Sequence, residues 1–271
     1  MRTAMRMKGC QAIFLAVLLC IAARAQAGTV IQQEQRDIGS DQPGQQVTLY
    51  VDAGKLRIEG QDPKGGKYLM IFDESKQVVW MADLAKKSYM EMTAAQVQGM
   101  GQQMQQAMQQ MQEQLAEMPP EQRAMAEQMM KRSMGGAMGG GAPQVTVREK
   151  SRGEKVGDFV CTVYEVLTQG QVSEVIWAAP AGQVQLDEAD LKTFQALGEF
   201  YEPLRRQFPQ SGMGVSAMRG VEGFPVRTVS YEGQRAVSEW TLVNIEQQSL
   251  DAGLFTLPSG LKKTQMPNMQ R

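Results

Sequence analysis

The chain has 271 residues, of which 28 are Lys or Arg and 29 are Asp or Glu, and it contains no histidine. A nearly neutral chain without a basic block lacks the electrostatic footprint of a nucleic-acid-binding protein. The lack of histidine removes the commonest general base and zinc ligand, and it excludes ordinary serine and cysteine catalytic triads. The composition therefore favours a binding protein over an enzyme, and we expect no cofactor.

The first 27 residues have the three parts of a cleavable signal peptide. MRTAMRMK is basic, CQAIFLAVLLCIAA is apolar, and the segment ends in small residues at Ala27. The apolar part is shorter than the roughly 20 residues of a transmembrane helix, and no later stretch approaches that length. We predict export to the periplasm, with residues 28–271 forming a single domain.

The cysteines bear on the same segment. Cys20 is the alternative processing site, as the acylated residue of a lipoprotein, but Leu19 stands where a small residue is wanted. If the signal peptide is removed, Cys161 remains alone and no intramolecular disulfide can form. We therefore expect the hydrophobic core, not cross-links, to hold the domain together.

Residues 29–92 are a succession of short strand patterns. QVTLYV, KLRIEG, KYLMIFD and QVVWMA are separated by Asp, Gly, Ser and Lys residues, which is typical of an antiparallel meander. KYLMIFD is apolar at Met70 and Phe72 on one face and at Leu69 and Ile71 on the other. Such a strand is buried on both sides, so we predict that the sheet is covered on each face.

Residues 93–142 interrupt the strands with helix formers. Thr93 is a suitable N-cap for a helix that runs to Met118, and Pro119–Pro120 end it because proline lacks the N–H donor. PPEQRAMAEQMMKR restarts a helix, and MGGAMGGGAP reads as a flexible linker. We predict an inserted helical hairpin tethered by glycine.

Strand patterns resume in VTVREK and DFVCTVYEVLTQ, and a turn at Gln169–Gly170 leads to QVSEVIWAAP. DEADLKTFQALGEFYEPLRRQF predicts an amphipathic helix over about 187–208, kinked or ended by Pro203. A hairpin and a terminal LDAGLFTLPSGLKK follow. About ten strands in all indicate an α+β fold with one strongly curved antiparallel sheet, or a partly closed barrel, covered by helices.

Several phrases of the chain carry a family resemblance when taken in order. They are VTLYVDAGKLRIEG, YLMIFDESKQVVWMADLAKKSYMEM, VGDFVCTVYEV, GFPVRT and SLDAGLFTLPSGLKK. Together they resemble an uncharacterised family of exported bacterial proteins, a domain of unknown function, with a fold like that of the LolA/LppX/RseB lipoprotein-carrier group. The resemblance covers residues 45–265 and implies an unclosed half-barrel whose concave side, plugged by helices, holds lipid or acyl chains. No motif within it is catalytic.

Methionine is concentrated in the insertion, where 12 of the 21 methionines lie between Met90 and Met138. One helix face carries a stripe at alternating steps of four and three, which is heptad-like. Its members are Met104, Met108, Met111, Leu115 and Met118. The stripe is explained by packing, by a lid over the half-barrel mouth, or by Cu(I) ligation at Met104, Met108 and Met111, because thioethers are soft ligands. Spacing alone does not separate these hypotheses.

The function predicted from these features is non-enzymatic binding or carriage of a hydrophobic ligand in the concave face of the sheet. The ligand would be an acyl chain, a lipid or a segment of a lipoprotein. The alternatives are Cu(I) binding through the methionine-rich helices and an envelope factor that engages a protein partner. The candidate ligand-binding residues on the sheet are Phe72, Trp80, Tyr164, Trp177 and Trp240, and those on the lid are Met104, Met108 and Met111.

Overall fold

The structure is a computed structural model that describes residues 28–62, 64–119, 122–123, 125–126, 145–205 and 220–265. The strands of its first half are β1 (Gly28–Asp37), β2 (Gln45–Asp52), β3 (Lys55–Gln61), β4 (Lys67–Asp73), β5 (Val78–Asp83) and β6 (Ser88–Thr93). Those of the second half are β7 (Val145–Val156), β8 (Phe159–Thr168), β9 (Gln171–Ala179), β10 (Phe224–Glu232), β11 (Arg235–Gln248) and β12 (Lys262–Lys263). The helices are α1 (Ala94–Glu117), α2 (Glu188–Phe200) and α3 (Glu202–Arg205), with a 3₁₀ turn at Ala252–Phe255.

All twelve described strands belong to one sheet, in the order β12-β6-β5-β4-β3-β2-β1-β11-β10-β9-β8-β7. Every neighbouring pair is antiparallel except β12, which runs parallel to β6. The first six strands form a meander, and β11 joins it to the second half by pairing with β1. The connection from β6 to β7, which contains α1, therefore leads from one side of the sheet to the opposite edge.

The sheet is curled around α2. The main core cluster joins Met92 of β6 and Cys161 of β8 to Phe194 and Leu197 of α2. Phe200 of α2 contacts Phe72 of β4, and Phe194 contacts Phe224 of β10. These two strands are five places apart and would be separated by roughly 24 Å in a flat sheet, whereas residues six apart in a helix are separated by about 9 Å. One helix can contact both strands only if the sheet bends over it. The predicted α+β fold with an unclosed antiparallel half-barrel is confirmed.

The hairpin turns follow from local residue chemistry. Gln169 and Gly170 connect β8 to β9 with φ angles of 53° and 80°. Positive φ at both positions makes this a type I′ loop, whose twist matches that of the flanking strands. The predicted turn at these two residues is confirmed.

Two smaller apolar clusters are separate from the main one, and the first of them lies on the outer face of the sheet, opposite α2. Leu69, Ile71 and Ala82 are buried beneath Leu257 and Leu261 of the C-terminal segment. A second cluster contains Tyr164, Val166, Ile176 and Ala178, with Val221 packed against it. The prediction from KYLMIFD that the sheet is covered on both faces is confirmed.

Helix α1 begins with a complete capping box, in which the Gln96 N–H donates to Thr93 Oγ1 and the Thr93 N–H donates to Gln96 Oε1. It ends at Glu117, just before the two prolines, as predicted. Beyond this end, the Arg123 side chain donates to the carbonyl oxygens of Leu115, Ala116 and Met118. These bonds satisfy carbonyls that a helix end leaves unpaired.

The helix predicted over 187–208 is divided in the structure. Asp187 caps α2 as predicted, with the Asp190 N–H donating to its side chain at 2.8 Å. Helix α2 stops at Phe200, ahead of Pro203, and the four residues of α3 follow after Tyr201. Residues 206–208, the predicted signal peptide 1–27 and the glycine tract 134–143 lie outside the described residues. None of the described helices combines the length and the hydropathy of a membrane span.

Candidate binding site beside the covering helix

Helix α2 buries a row of apolar side chains that crosses five strands. The row is defined by cross-strand pairing and consists of Val51, Leu56, Phe72, Val79 and Met92. Four of these side chains are fully buried and Met92 is 7% exposed. The Phe72 and Phe200 rings meet edge to face with centroids 5.7 Å apart, and Phe194 contacts Phe224 at 5.9 Å. This part of the sheet is therefore occupied by the protein itself.

The next row along the same face is only partly covered. Its members are Ile58, Met70, Met81 and Met90, which are direct cross-strand partners on β3, β4, β5 and β6. All four are half-buried. They lie two residues along their strands from the row under α2, so their side chains point to the same face. We call these four residues the apolar row.

At Ile58 of β3, the apolar row continues into the buried core. Ile58 pairs with Leu49, which pairs with Ile31, and both partners are buried. Strands are spaced by about 4.8 Å, so the half-exposed part from β3 to β6 is roughly 14 Å long. The result is a narrow apolar strip that packs against the main cluster at Ile58, Met70 and Met81 and is partly exposed to solvent.

Helix α2 is held by polar bonds near its N-terminus. The Thr29 hydroxyl donates to Asp190 Oδ2 at 2.6 Å, and the Gly54 N–H donates to Thr193 Oγ1 at 3.1 Å. Burial raises the pKa of the Asp190 carboxyl, and the bond from Thr29 offsets this effect in part. Towards the C-terminus the contacts of α2 are aromatic, at Phe200 and Tyr201. Burial raises the pKa of Tyr201 to about 12.

A second surface, on strands β7–β11, is rich in charge. Its valines Val163, Val175 and Val229 are buried, and carboxylates lie beside them. Glu165 accepts two hydrogen bonds from Arg148, which, with Lys150, keep the pKa of Glu165 below its ordinary value.

Glu239 forms the matching charged group on the same surface. It pairs with Arg36 and Arg227. Burial alone would raise the pKa of Glu239, but the bonds from the two arginines lower it. Both carboxylates, of Glu165 and Glu239, are therefore ionised and form ion pairs with basic side chains of the same protein.

A pocket of about 450 Å³ opens at the end of this surface, between the β8–β9 and β10–β11 turns. Its lining residues are Lys150, Glu165, Gln171, Val172, Val175, Tyr231, Gly233 and Gln234. The volume is in the range of small-molecule sites. Sequence reasoning missed this pocket because it lies between two hairpins, β8–β9 and β10–β11. These hairpins are joined only by the pairing of β9 with β10.

The predicted aromatic site residues do not share one surface. Phe72 belongs to the buried row under α2, and Trp177 and Trp240 pack against the main cluster. The Arg227 guanidinium lies 4.6 Å from the centre of the Trp177 ring, and the Trp177 indole donates to Glu154 at 2.9 Å.

The structure places Trp80 on the outer face of the sheet, away from Phe72. Trp80 pairs with Ile71 and packs against the cluster of Leu69 and Ile71, and its indole donates to Glu91 at 3.1 Å. Side chains alternate between faces along a strand, so Trp80 does not lie on the α2 side with Phe72. Tyr164 belongs to the separate cluster on β8 and β9.

Helix α1 is seated on the body at its first turns, ahead of the methionine stripe. Val97 is buried in the main cluster and Gly101 packs against Pro203. Farther along, Met111 is half-buried and Met118 is 37% exposed. The side chains of Met104 and Met108 lie outside the described part of the chain, so the lid and Cu(I) hypotheses for the stripe stay predictions.

Sequence reasoning also missed the apolar row. The sequence predicts Met70 on the same face as Phe72. It does not predict that Met81 and Met90 lie beside Met70, because that depends on how β4, β5 and β6 pair. The alternation in KYLMIFD and QVVWMAD was a usable signal. A hairpin register drawn through the D-E-S-K turn would have brought Met70 beside Met81.

These features define an α+β half-barrel with one covering helix and an accessible apolar strip. The chain belongs to the family described as Domain of unknown function (DUF4412), whose profile matches residues 93–261. The predicted membership of an uncharacterised family is thereby confirmed. No curated protein matches the chain.

Solved structures match at low sequence identity. Two crystal forms of PNGF-II are 10% identical with a TM-score of 0.40, and they cover 89% of this chain. The chain spans only 31% and 32% of those two PNGF-II chains. The LolA superfamily protein NE2245 from Nitrosomonas europaea is 7% identical with a TM-score of 0.30, over 86% of this chain and 91% of that one.

Proposed function

We propose that this protein is an exported, non-enzymatic binding protein that holds an apolar ligand, such as an acyl chain or a lipid, along the apolar row beside α2. The observation that carries the proposal is the row itself. Ile58, Met70, Met81 and Met90 form a continuous strip across four strands, and each remains partly open to solvent.

The strip has suitable chemistry for such a ligand. Its surface is apolar, and methionine side chains are unbranched and adapt to irregular ligands. Burial of apolar surface contributes about 25 cal/mol for each Å² removed from water. An extended acyl chain of roughly 14 Å would cover the four side chains without requiring polar partners.

The anchoring of α2 provides a way to enlarge the site. Its polar bonds, from Thr29 and Gly54, lie near one end, whereas Phe200 and Tyr201 make apolar contacts at the other. An acyl chain can replace apolar contacts with contacts of the same kind. In this proposal the aromatic end of α2 moves aside while the polar end stays bound to the sheet.

The test is mass spectrometry of the lipid that co-purifies with the full chain from its own envelope. Wild type is compared with Met81→Gln, which places an amide in the apolar row. The matched control is Leu84→Gln, because Leu84 is also half-buried but packs against the outer cluster. Retained lipid that is lost in Met81→Gln and kept in Leu84→Gln supports the proposal. Absence of lipid from wild type, or equal retention by both variants, contradicts it.

A second candidate is an envelope factor that binds a protein partner through the end of α1 and the residues that follow it. The observation that favours it is the exposure of Met118 at 37% and of Met125 at 66%. Deleting residues 102–142 separates the two functions. The deletion removes the partner surface and leaves the apolar row on β3–β6 in place.

A further inference from the structure

Three methionines of the apolar row are direct neighbours across three strands. Met70 pairs with Met81, and Met81 pairs with Met90. Directly opposed residues of antiparallel strands have Cβ atoms about 4.5–5.5 Å apart. Because a methionine side chain is long and unbranched, three thioether sulfurs at this spacing can turn towards one point above Met81.

The position of the three residues also permits entry of a ligand. Each is half-buried, so part of each residue is reachable from solvent, although Met70 and Met81 also pack against the main cluster. In the next row of the same face, Phe72 and Val79 are fully buried, so the strands beneath the three methionines are packed into the core. A site on neighbouring strands of a sheet is held more rigidly than a site on a loop.

The donor set determines which ion such a site would take. Thioether sulfur is a soft ligand that selects Cu(I), whereas Zn²⁺ prefers thiolate or imidazole, and Mg²⁺ and Ca²⁺ prefer oxygen. The described residues contain no cluster of three His, Cys, Asp or Glu residues that could hold a metal. Met70, Met81 and Met90 therefore offer sulfur without competing harder donors.

We propose that Met70, Met81 and Met90 bind one Cu(I) ion through their three thioether sulfurs. The site is distinct from the methionine stripe of α1. It goes beyond the proposed binding of an apolar ligand, which uses the same strip only as a hydrophobic surface. Leucine would serve that surface equally well, but leucine has no sulfur.

The difference between leucine and methionine allows metal binding to be tested separately from apolar-ligand binding. Replacing methionine with leucine conserves volume and apolar character and is usually well tolerated. The test variant is the triple substitution Met70→Leu, Met81→Leu and Met90→Leu in the full chain. The control is the triple substitution Met100→Leu, Met111→Leu and Met118→Leu on α1, where the side chains are half-buried or exposed.

Cu(I) affinity is measured anaerobically by competition with a chromogenic chelator, and X-ray absorption reports the atoms bound to copper. We expect wild type and the α1 control to bind one Cu(I) with sulfur ligands, and the sheet variant to bind at least about tenfold more weakly. Wild-type affinity no stronger than that of free methionine overturns the proposal. So does a sheet variant with unchanged affinity, or a loss confined to the α1 variant.

The same variants keep the two proposals distinguishable. If the sheet variant loses Cu(I) but still retains lipid, both proposals stand. If wild type retains lipid but does not bind Cu(I), only the metal site is contradicted. If wild type binds Cu(I) through the sheet methionines but retains no lipid, only the apolar-ligand function is contradicted.

Discussion

At the scale of single residues, the attachment of α2 to the sheet depends on a buried carboxyl group. Asp190 is 4% exposed and accepts a hydrogen bond from Thr29 across 161 positions of sequence. Burial disfavours its charged form and raises its pKa. The folded protein therefore binds this proton more tightly than the unfolded chain does.

The consequence is a pH-dependent contribution to stability. The contribution of Asp190 is fully present below the carboxyl's ordinary pKa and is lost as pH rises through the raised pKa. Asp190→Asn mimics the protonated form. We therefore expect the stability of the variant, relative to wild type, to increase with pH across that window and to be constant on either side. Urea unfolding at a series of pH values measures the difference.

Glu239 supplies a control of opposite sign. Although burial alone would raise the pKa of Glu239, its bonds to Arg227 and Arg36 lower it. The stability that it contributes is present above the ordinary carboxyl pKa and is lost as pH falls through the lowered value. Glu239→Gln should therefore lose stability, relative to wild type, as pH rises. Parallel pH profiles for wild type and Asp190→Asn would show that Asp190 is not buried as described.

At the scale of elements, α2 is the helix that unites the core. Phe200 is 5% exposed and its ring contacts both Phe72 and Tyr201. Phe200→Ala leaves a cavity between helix and sheet and should reduce the free energy of unfolding by about 3–5 kcal/mol. The exposed neighbour Glu199→Ala should change it by less than about 0.5 kcal/mol. Similar small effects of both substitutions on urea unfolding would contradict the described packing of α2.

The first turns of α1 can be tested with two glycines of the same helix. A Cβ at Gly99 would meet no atom within 4 Å, so Gly99→Ala should stabilise the protein by about 0.5–1 kcal/mol through helix propensity. A Cβ at Gly101 would lie 3.0 Å from the Pro203 carbonyl oxygen. Since that atom is backbone and cannot turn away, Gly101→Ala should destabilise.

Thermal unfolding of the two glycine variants measures whether α1 rests on α3. Opposite shifts of the melting temperature are the expected result. Equal stabilisation by both substitutions would mean that α1 is not seated against Pro203.

At the scale of the whole molecule, local chemistry predicted most of the elements. The double-faced strand KYLMIFD, the Thr93 cap, the Gln169–Gly170 turn and the Asp187 cap all depend on neighbouring residues, and all are found. The count of about ten strands fell short of the twelve described, because no strand pattern was recognised in Gly28–Asp37 or in the short Lys262–Lys263 segment that pairs with β6.

The site was less predictable because it depends on register and strand order. Trp80 and Met81 are adjacent in sequence yet lie on opposite faces of β5, and only the pairing with Ile71 and Met70 shows which faces the helix. The aromatic residues were the natural candidates for contact with an apolar ligand. The structure instead places half-exposed methionines beside α2 and turns Trp80 outward.

The central claim, that an apolar ligand lies along the row beside α2, can be tested with tryptophan fluorescence on the two faces of β5. Both test proteins carry Trp177→Phe and Trp240→Phe. One keeps Trp80 on the outer face, and the other combines Trp80→Phe with Met81→Trp on the α2 face. A brominated fatty acid quenches only tryptophans that it contacts. We predict saturable quenching of the tryptophan at position 81 and none at position 80, whereas equal quenching of both, or of neither, would contradict the account.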